Sequence, residues 1–387
     1  MIKNLIPAFL LLIAAACSST PDIEIPEEIA SLENLAVIEP DAEPQNSFEF
    51  EPEARYGETA ELIFGNINGA TVAPDGRVFL ADFDQNSLHA FDPDGNYLTT
   101  LGGEGEGPGE FGNISNPQAD ENFLYAYDWT QRRINAFDLE TLRFSHTVRL
   151  MREDWSGGEL SGKWPNGYFV TRDGSFLTSF SPPFSQNNLH DERQVSYYRI
   201  TSEGELIPNE VFAQRAAGAL VDESGGGFMV MGSPFRDRPL FALAPDDRFY
   251  TAWSEDFLIR IYSSQGEYER AIYVPYEKSF LDQQELASRY DNDRLRRMIR
   301  TADAPEHWPA LHQIRVDDEH RIWAATIIDD EDLYQWWVIS PEGELQSRFE
   351  WPRNRNIRAI QNGYLYVQET DPETDLQEIV RYRIVEG

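Results

Sequence analysis

Arginine is the side chain whose placement here most suggests chemistry. Arg289, Arg294, Arg296, Arg297 and Arg300 crowd one short stretch, and Arg353 and Arg355 stand in a later connection. The guanidinium fork makes paired hydrogen bonds to carboxylates and phosphates. These arginines are therefore candidates for holding a carboxylate, a phosphate or an acidic glycan, although a solvated helix face paired with Asp291 and Asp293 would show the same pattern. Trp129, Trp308 and Tyr334 lie in or beside long loops, where a ring can stack on a sugar or pack one loop on another. Arg132 shares the loop of Trp129. The candidate ligand-binding set is thus Trp129, Arg132, Arg289, Arg296, Arg297, Arg300, Trp308, Arg353 and Arg355.

Other chemistries find less support. The run Gly102-Gly103-Glu104-Gly105-Glu106-Gly107-Pro108-Gly109-Glu110 lacks a following Lys-Ser/Thr and carries carboxylates that would repel phosphate. It reads as a connecting loop, with calcium on Glu104, Glu106 and Glu110 as a minor alternative; otherwise no cofactor or metal is expected. His89, His146, His190, His307, His312 and His320 are scattered without metal-ligand spacing. No Gly-x-Ser-x-Gly elbow occurs, and no catalytic residue is assigned.

Composition sets the bounds. The 387 residues are 41% hydrophobic and 13% aromatic, enough for a large core, and 67 acidic against 32 basic side chains give a net charge of -35. Such a surface excludes binding to a phosphate backbone, which depends on clustered cations. A lone cysteine excludes an internal disulfide, and the basic residues include just three lysines, Lys3, Lys163 and Lys278. Excess carboxylate with so little lysine fits a salty exterior.

The lone cysteine stands at Cys17, after the basic Lys3, the apolar run Leu5 to Ile13 and Ala14-Ala15-Ala16. That run is too short to span a bilayer. The segment resembles a bacterial lipoprotein signal, which implies cleavage before Cys17, acylation of Cys17 and export. Ser18 in the next position implies the outer membrane of the cell envelope. Pro21 to Ala54 holds eleven carboxylates and no basic residue, so residues 17–55 read as a disordered acidic tether.

The body repeats. Phe79-Leu80-Ala81-Asp82 through Ala90-Phe91-Asp92 aligns with Tyr125-Ala126-Tyr127-Asp128 through Ala136-Phe137-Asp138, matching in Asp, in Gln three positions later and in Ala-Phe-Asp. Tight-turn signals such as Pro74-Asp75-Gly76, Pro93-Asp94-Gly95 and Pro341-Glu342-Gly343 punctuate apolar runs throughout. Six units of about four strands each predict an all-β, six-bladed β-propeller over residues 56–387. The last unit is one strand short, and Ala60 to Phe64 is the expected N-terminal strand that closes it. Gly69 to Phe111, with Pro74-Asp75-Gly76, Val78 to Asp82, Phe91-Asp92 and Gly95, resembles NHL-repeat and related six-bladed propellers, including Bacteroidetes-like lipoproteins. That resemblance implies fold rather than activity.

The long connections, Gly102 to Asn113, Met151 to Pro165, Ser181 to Arg193, Gln214 to Pro239, Pro275 to Ala310 and Ile327 to Leu333, all fall on one face, the expected binding face. One of them carries a predicted helical insertion at about 277–302, capped by Ser279 and Asp282 and ending near Pro305. The expectation is a non-enzymatic, membrane-anchored propeller that binds an anionic small molecule, a glycan or an envelope protein through this face. The rival is a metal-dependent hydrolase or lyase, lactonase-like, using the central channel.

Overall fold

The computed structural model describes residues 25–387 except 60–61, 153–154, 156–157, 186–188, 190–191 and 225–226. Helix α1 (Glu27–Ala30) and strands β1 (Leu35–Val37) and β2 (Phe48–Tyr56) precede a ring of six sheets. Blade 1 is β3 (Ile67–Val72), β4 (Val78–Asp82), β5 (Ser87–Phe91) and β6 (Tyr97–Gly102); blade 2 is β7 (Ile114–Ala119), β8 (Phe123–Asp128), β9 (Arg133–Asp138) and β10 (Arg143–Arg149). Blade 3 is β11 (Trp164–Val170), β12 (Phe176–Ser181), β13 (Gln194–Ile200) and β14 (Leu206–Arg215), followed by an inserted hairpin, β15 (Ala219–Asp222) and β16 (Met229–Gly232). Blade 4 is β17 (Pro239–Leu243), β18 (Phe249–Trp253), β19 (Leu258–Tyr262) and β20 (Tyr268–Tyr273); helices α2 (Gln283–Ser288) and α3 (Asp293–Thr301) follow it. Blade 5 is β21 (Leu311–Val316), β22 (Ile322–Ile327), β23 (Leu333–Ile339) and β24 (Leu345–Pro352), and blade 6 is β25 (Asn356–Gln361), β26 (Tyr364–Thr370), β27 (Gln377–Glu386) and β2.

The chain closes through β2, antiparallel to β27 from Phe48 opposite Glu386 to Tyr56 opposite Ile379. This corrects two expectations. Ala60 to Phe64 is not the closing strand: Leu62 bridges back to Thr59 while Phe64 packs on His89. Nor are residues 25–55 a disordered tether. The segment 48–56 alternates apolar and charged side chains, so a sheet buries Phe48 and Tyr56 while Glu51 and Glu53 pair with Arg383, and Glu53 also meets Arg381. The acidic face is neutralised by its partner strand, which composition alone does not reveal.

Upstream of β2 the chain runs as a strap over the outer edges of blades 4 and 5. Strand β1 pairs in parallel with β20, Tyr268 donates to the Glu33 carbonyl at 2.7 Å, Arg348 donates to the Pro40 carbonyl at 2.7 Å, and Gln45 N–H bonds the Leu345 carbonyl at 3.1 Å. The strap and β2 each pass so close to a left-handed turn residue that it must be glycine. A Cβ on Gly343 (φ +97°) would collide with Ala36, and one on Gly95 (φ +91°) with the Arg55 carbonyl of β2.

Buried apolar clusters fill the gaps between blades 1 and 2, 2 and 3, 4 and 5, 5 and 6, and 6 and 1. The seam between blades 3 and 4 holds aromatic pairs instead, with Phe169 tilted on Phe241 at 4.8 Å and the buried Tyr197 stacked on Phe241 at 4.6 Å. On the tight-turn side this seam is pinned by Arg172 N–H to the Asp247 carboxylate at 2.9 Å and by Arg199 to the Ser264 carbonyl at 2.7 Å.

The sequence repeat has a structural cause. Asp82, fully buried at the end of β4, accepts backbone N–H bonds from Gly65, Asn66, Asp84 and Gln85. Asp128 likewise accepts from Gly112, Asn113 and Gln131. Gln85 and Gln131 then reach over to the Ile63 and Gly105 carbonyls at 2.5 and 3.1 Å. Each Asp and Gln thus fixes the connection into its own blade.

Candidate functional site

Strand alternation places the connections between blades, and the turns between second and third strands, on one face. Every long connection is there: residues 103–113, 150–163, 182–193, 216–238 and 274–310. Turns on the other face are short, as at 73–77, 171–175 and 340–344. The one-sided distribution read from the sequence is present in the fold.

The helical insertion is two helices rather than one beginning near 277. Asp282 caps α2 by accepting from Gln284 and Glu285 N–H, and Asn292 caps α3 by accepting from Arg294 and Leu295 N–H, which breaks the helix between them. Ser279 does not cap; its hydroxyl donates to the Ile327 carbonyl at 3.3 Å. Leu281, Leu286, Met298 and Ile299 bury against Leu220 and Phe235, joining the helices to the β15–β16 hairpin.

Between this hairpin, α3, the described part of 182–193 and the top of the seam between blades 3 and 4 lies a cleft of about 910 Å³. Trp253, Phe184, Leu189 and Met298 supply apolar walls, and Arg193, Arg215, Arg236 and Arg297 supply cations. The Arg193 guanidinium lies 3.7 Å over Phe184 and donates to the Pro182 carbonyl, and that of Arg215 lies 3.9 Å over Trp253, an arrangement that leaves the Arg215 edge able to donate. Arg236 donates to the Asp303 carbonyl at 3.2 Å. Neither the Arg215 nor the Arg297 side chain pairs with a carboxylate among the described residues. Asp237 also lines the cleft; burial raises its pKa, and Glu255 adds to that.

Of the residues singled out in the sequence, only Arg297 lines this cleft. Arg289 pairs with Glu331 and Glu285, Arg296 ties the interhelical turn through the Tyr290 and Asp291 carbonyls, and Arg300 lies exposed in the last turn of α3. Arg353 clasps the Leu333, Ile328 and Asp330 carbonyls, while Arg355 pairs with Glu369. Trp308 packs beneath the helices, Trp129 is half exposed, and Arg132 lies over Trp164 at 3.9 Å. Arg193, Arg215 and Arg236 escaped notice because they come from connections far apart in sequence. The usable signal was Arg193 just before β13 and Arg215 at the end of β14, each over an aromatic ring.

The glycine loop is held from within. Arg133 donates to the Glu106, Gly107 and Glu110 carbonyls, and the Glu110 carboxylate accepts the Gly107 N–H. Among the described residues, no group of three or more His, Cys, Asp or Glu is placed to hold a metal ion, and no helix is long and apolar enough to cross a membrane. Cys17, the signal segment 1–16 and His190 lie outside the described residues.

Comparison with known proteins agrees on the class. The model of the DUF5128 family, described as a 6-bladed beta-propeller, matches residues 59–156. A solved structure of a Bacteroides fragilis protein described as exported superposes with a TM-score of 0.53 at 12% identity, covering 91% of this chain and 99% of that one. A DUF4221 family member from Bacteroides vulgatus gives a TM-score of 0.52 at 10% identity, covering 89% and 99%. No functionally curated protein matches the sequence. The chain is a six-bladed β-propeller, and these likenesses bear on fold alone.

Proposed function

We propose that the protein is a non-enzymatic ligand-binding propeller of the bacterial cell envelope, akin to NHL-like lipoproteins and anchored through acylated Cys17. In this reading the cleft above blades 3 and 4 takes an anionic ligand, a small molecule or acidic glycan, whose apolar or planar part lies against Trp253 and Phe184. The observation that carries it is the pair Arg215 and Arg297, two guanidiniums that line a large cleft and form no ion pair with a carboxylate among the described residues. A charge-assisted hydrogen bond contributes roughly 1.5–3 kcal/mol, so each arginine accounts for at least about tenfold in affinity.

A thermal-shift screen of anionic metabolites and acidic oligosaccharides is expected to yield ligands whose affinity falls about a hundredfold in the Arg215→Ala/Arg297→Ala double variant. Unchanged affinity for every hit, or a screen without hits, would discard this site. The anchor has its own outcome: Cys17→Ser moves the protein from the membrane to the soluble fraction, and persistent membrane association would refute lipidation there.

A further inference from the structure

A second concentration of positive charge lies on the axis of the ring. The six innermost strands, β3, β7, β11, β17, β21 and β25, contain no Asp or Glu, although the chain has 67, and they contain His312, Arg315 and Arg358. In five of these strands the pairing slips near the long-loop end, at Asn68, Asn116-Pro117, Asn166, His312 and Arg358. A bulge frees a residue from the ladder and re-aims it. Each bulge here carries a polar side chain, amides in blades 1 to 3 and cationic or titratable groups in blades 5 and 6.

Some of these side chains clamp neighbouring inner strands together. Asn68 donates to the Ile114 carbonyl at 2.7 Å, Gln118 to the Tyr168 carbonyl at 2.7 Å, and Arg315 to the Arg358 carbonyl at 2.9 Å. Neutral amides suffice for this task between blades 1, 2 and 3, so clamping does not explain why blade 5 uses an arginine. Arg358 meets the Gln368 amide oxygen, and neither Arg315 nor Arg358 has a carboxylate partner among the described residues. Burial, and then the neighbouring Arg358 charge, push the Arg315 pKa down to about 10, and burial lowers that of Arg358. Both remain cationic at neutral pH, and two adjacent desolvated cations are costly without a counter-ion.

We propose that the axial channel, on the side of blades 5 and 6, is an oxyanion site in which Arg315 and Arg358 supply the charge and a carboxylate or phosphate group is the ligand. The site is separate from the cleft above blades 3 and 4 and stands whether or not that cleft binds anything. Inorganic phosphate and citrate serve as probes, titrated against the full chain at constant ionic strength set with NaCl, so that general screening of a net charge of -35 is held fixed.

A saturable rise in melting temperature is expected with at least one probe. Arg358→Gln should weaken it at least tenfold, Arg358→Lys less so, and Arg215→Ala/Arg297→Ala should leave it intact. A response to phosphate but not citrate assigns a phosphate group, and the converse a carboxylate. No saturable response to either probe, or an equal response in Arg358→Gln, overturns the proposal. Arg315→Gln adds a second test where it folds; where it does not, Arg358→Gln decides, because its bonds to Gln368 stay within blade 6.

Discussion

A chain beginning at Gly57 is expected to lose the folded state, whereas one beginning at Ala42 keeps it with a lowered melting temperature. The shorter form lacks β2 and so exposes the full edge of β27. It also loses the fully buried Tyr56, Phe48 packed on Trp323 at 5.8 Å, and Phe50 wedged between Phe349 at 4.7 Å and Trp351 at 5.2 Å. Each large apolar side chain contributes about 1.5–3 kcal/mol when buried. Three of them approach the whole margin of a typical domain, about 5–15 kcal/mol, and an open strand edge invites association. The form beginning at Ala42 gives up α1, β1, the buried Ile29 and Ile38 and the strap's bonds to Tyr268 and Arg348, but keeps β2 and the closed ring. Thermal melts followed by circular dichroism, with size-exclusion chromatography, separate the two. A monomeric, cooperative melt of the Gly57 form close to that of the full chain would show that β2 does not close the ring.

Asp82→Ala should cost about 3 kcal/mol, because it leaves several backbone donors at the entry to blade 1 without an acceptor. Four N–H groups converge on this carboxylate, at 2.9 Å from Gly65, 3.3 Å from Asn66, 2.9 Å from Asp84 and 3.2 Å from Gln85, with His89 Nε2 3.6 Å away. Burial alone would raise its pKa, but the nearby His89 ring and the backbone hydrogen bonds from Gly65, Gln85 and Asn66 outweigh burial and bring it from 3.8 to about 2. The folded state thus binds this proton less readily than the unfolded chain. The stabilisation is complete above about pH 4 and is lost as pH falls toward about 2. Asp82→Asn should be less stable at neutral pH and show a shallower decline across that window. Urea melts at several pH values measure both; parallel pH profiles for the two proteins would contradict this role.

The repeat was legible because its residues act locally. Asp82 and Gln85, like Asp128 and Gln131, clamp connections within one blade, so the same spacing recurs wherever the same clamp is built. The loop asymmetry was legible for a related reason, since strand alternation alone decides which face a connection joins. The closing strand was misread because eleven acids between Pro21 and Ala54 outweighed the alternation Phe48-Glu49-Phe50-Glu51. Two of them, Glu51 and Glu53, find Arg381 and Arg383 more than three hundred residues away, a pairing no local window contains. The arginine cluster was legible as a cluster but not as a site. Most of its members satisfy nearby carbonyls or acids, and the cleft draws Arg193, Arg215 and Arg236 from other connections.

The strap also sets a load path. A pull on the chain ahead of Ile25 meets first α1 and the short pairing of Leu35–Val37 with Ala271–Tyr273, which can be peeled one contact at a time. Only after Arg348 releases Pro40 and the Leu345 edge lets go of Gln45 does tension reach β2. There it meets a long antiparallel register held beside the chain's own last residue, Ser47 N–H on the Gly387 carbonyl at 3.2 Å. Under such a pull the outer wrapping of blades 4 and 5 is expected to release before the ring opens, because its contacts are fewer and shorter in register than those of β2.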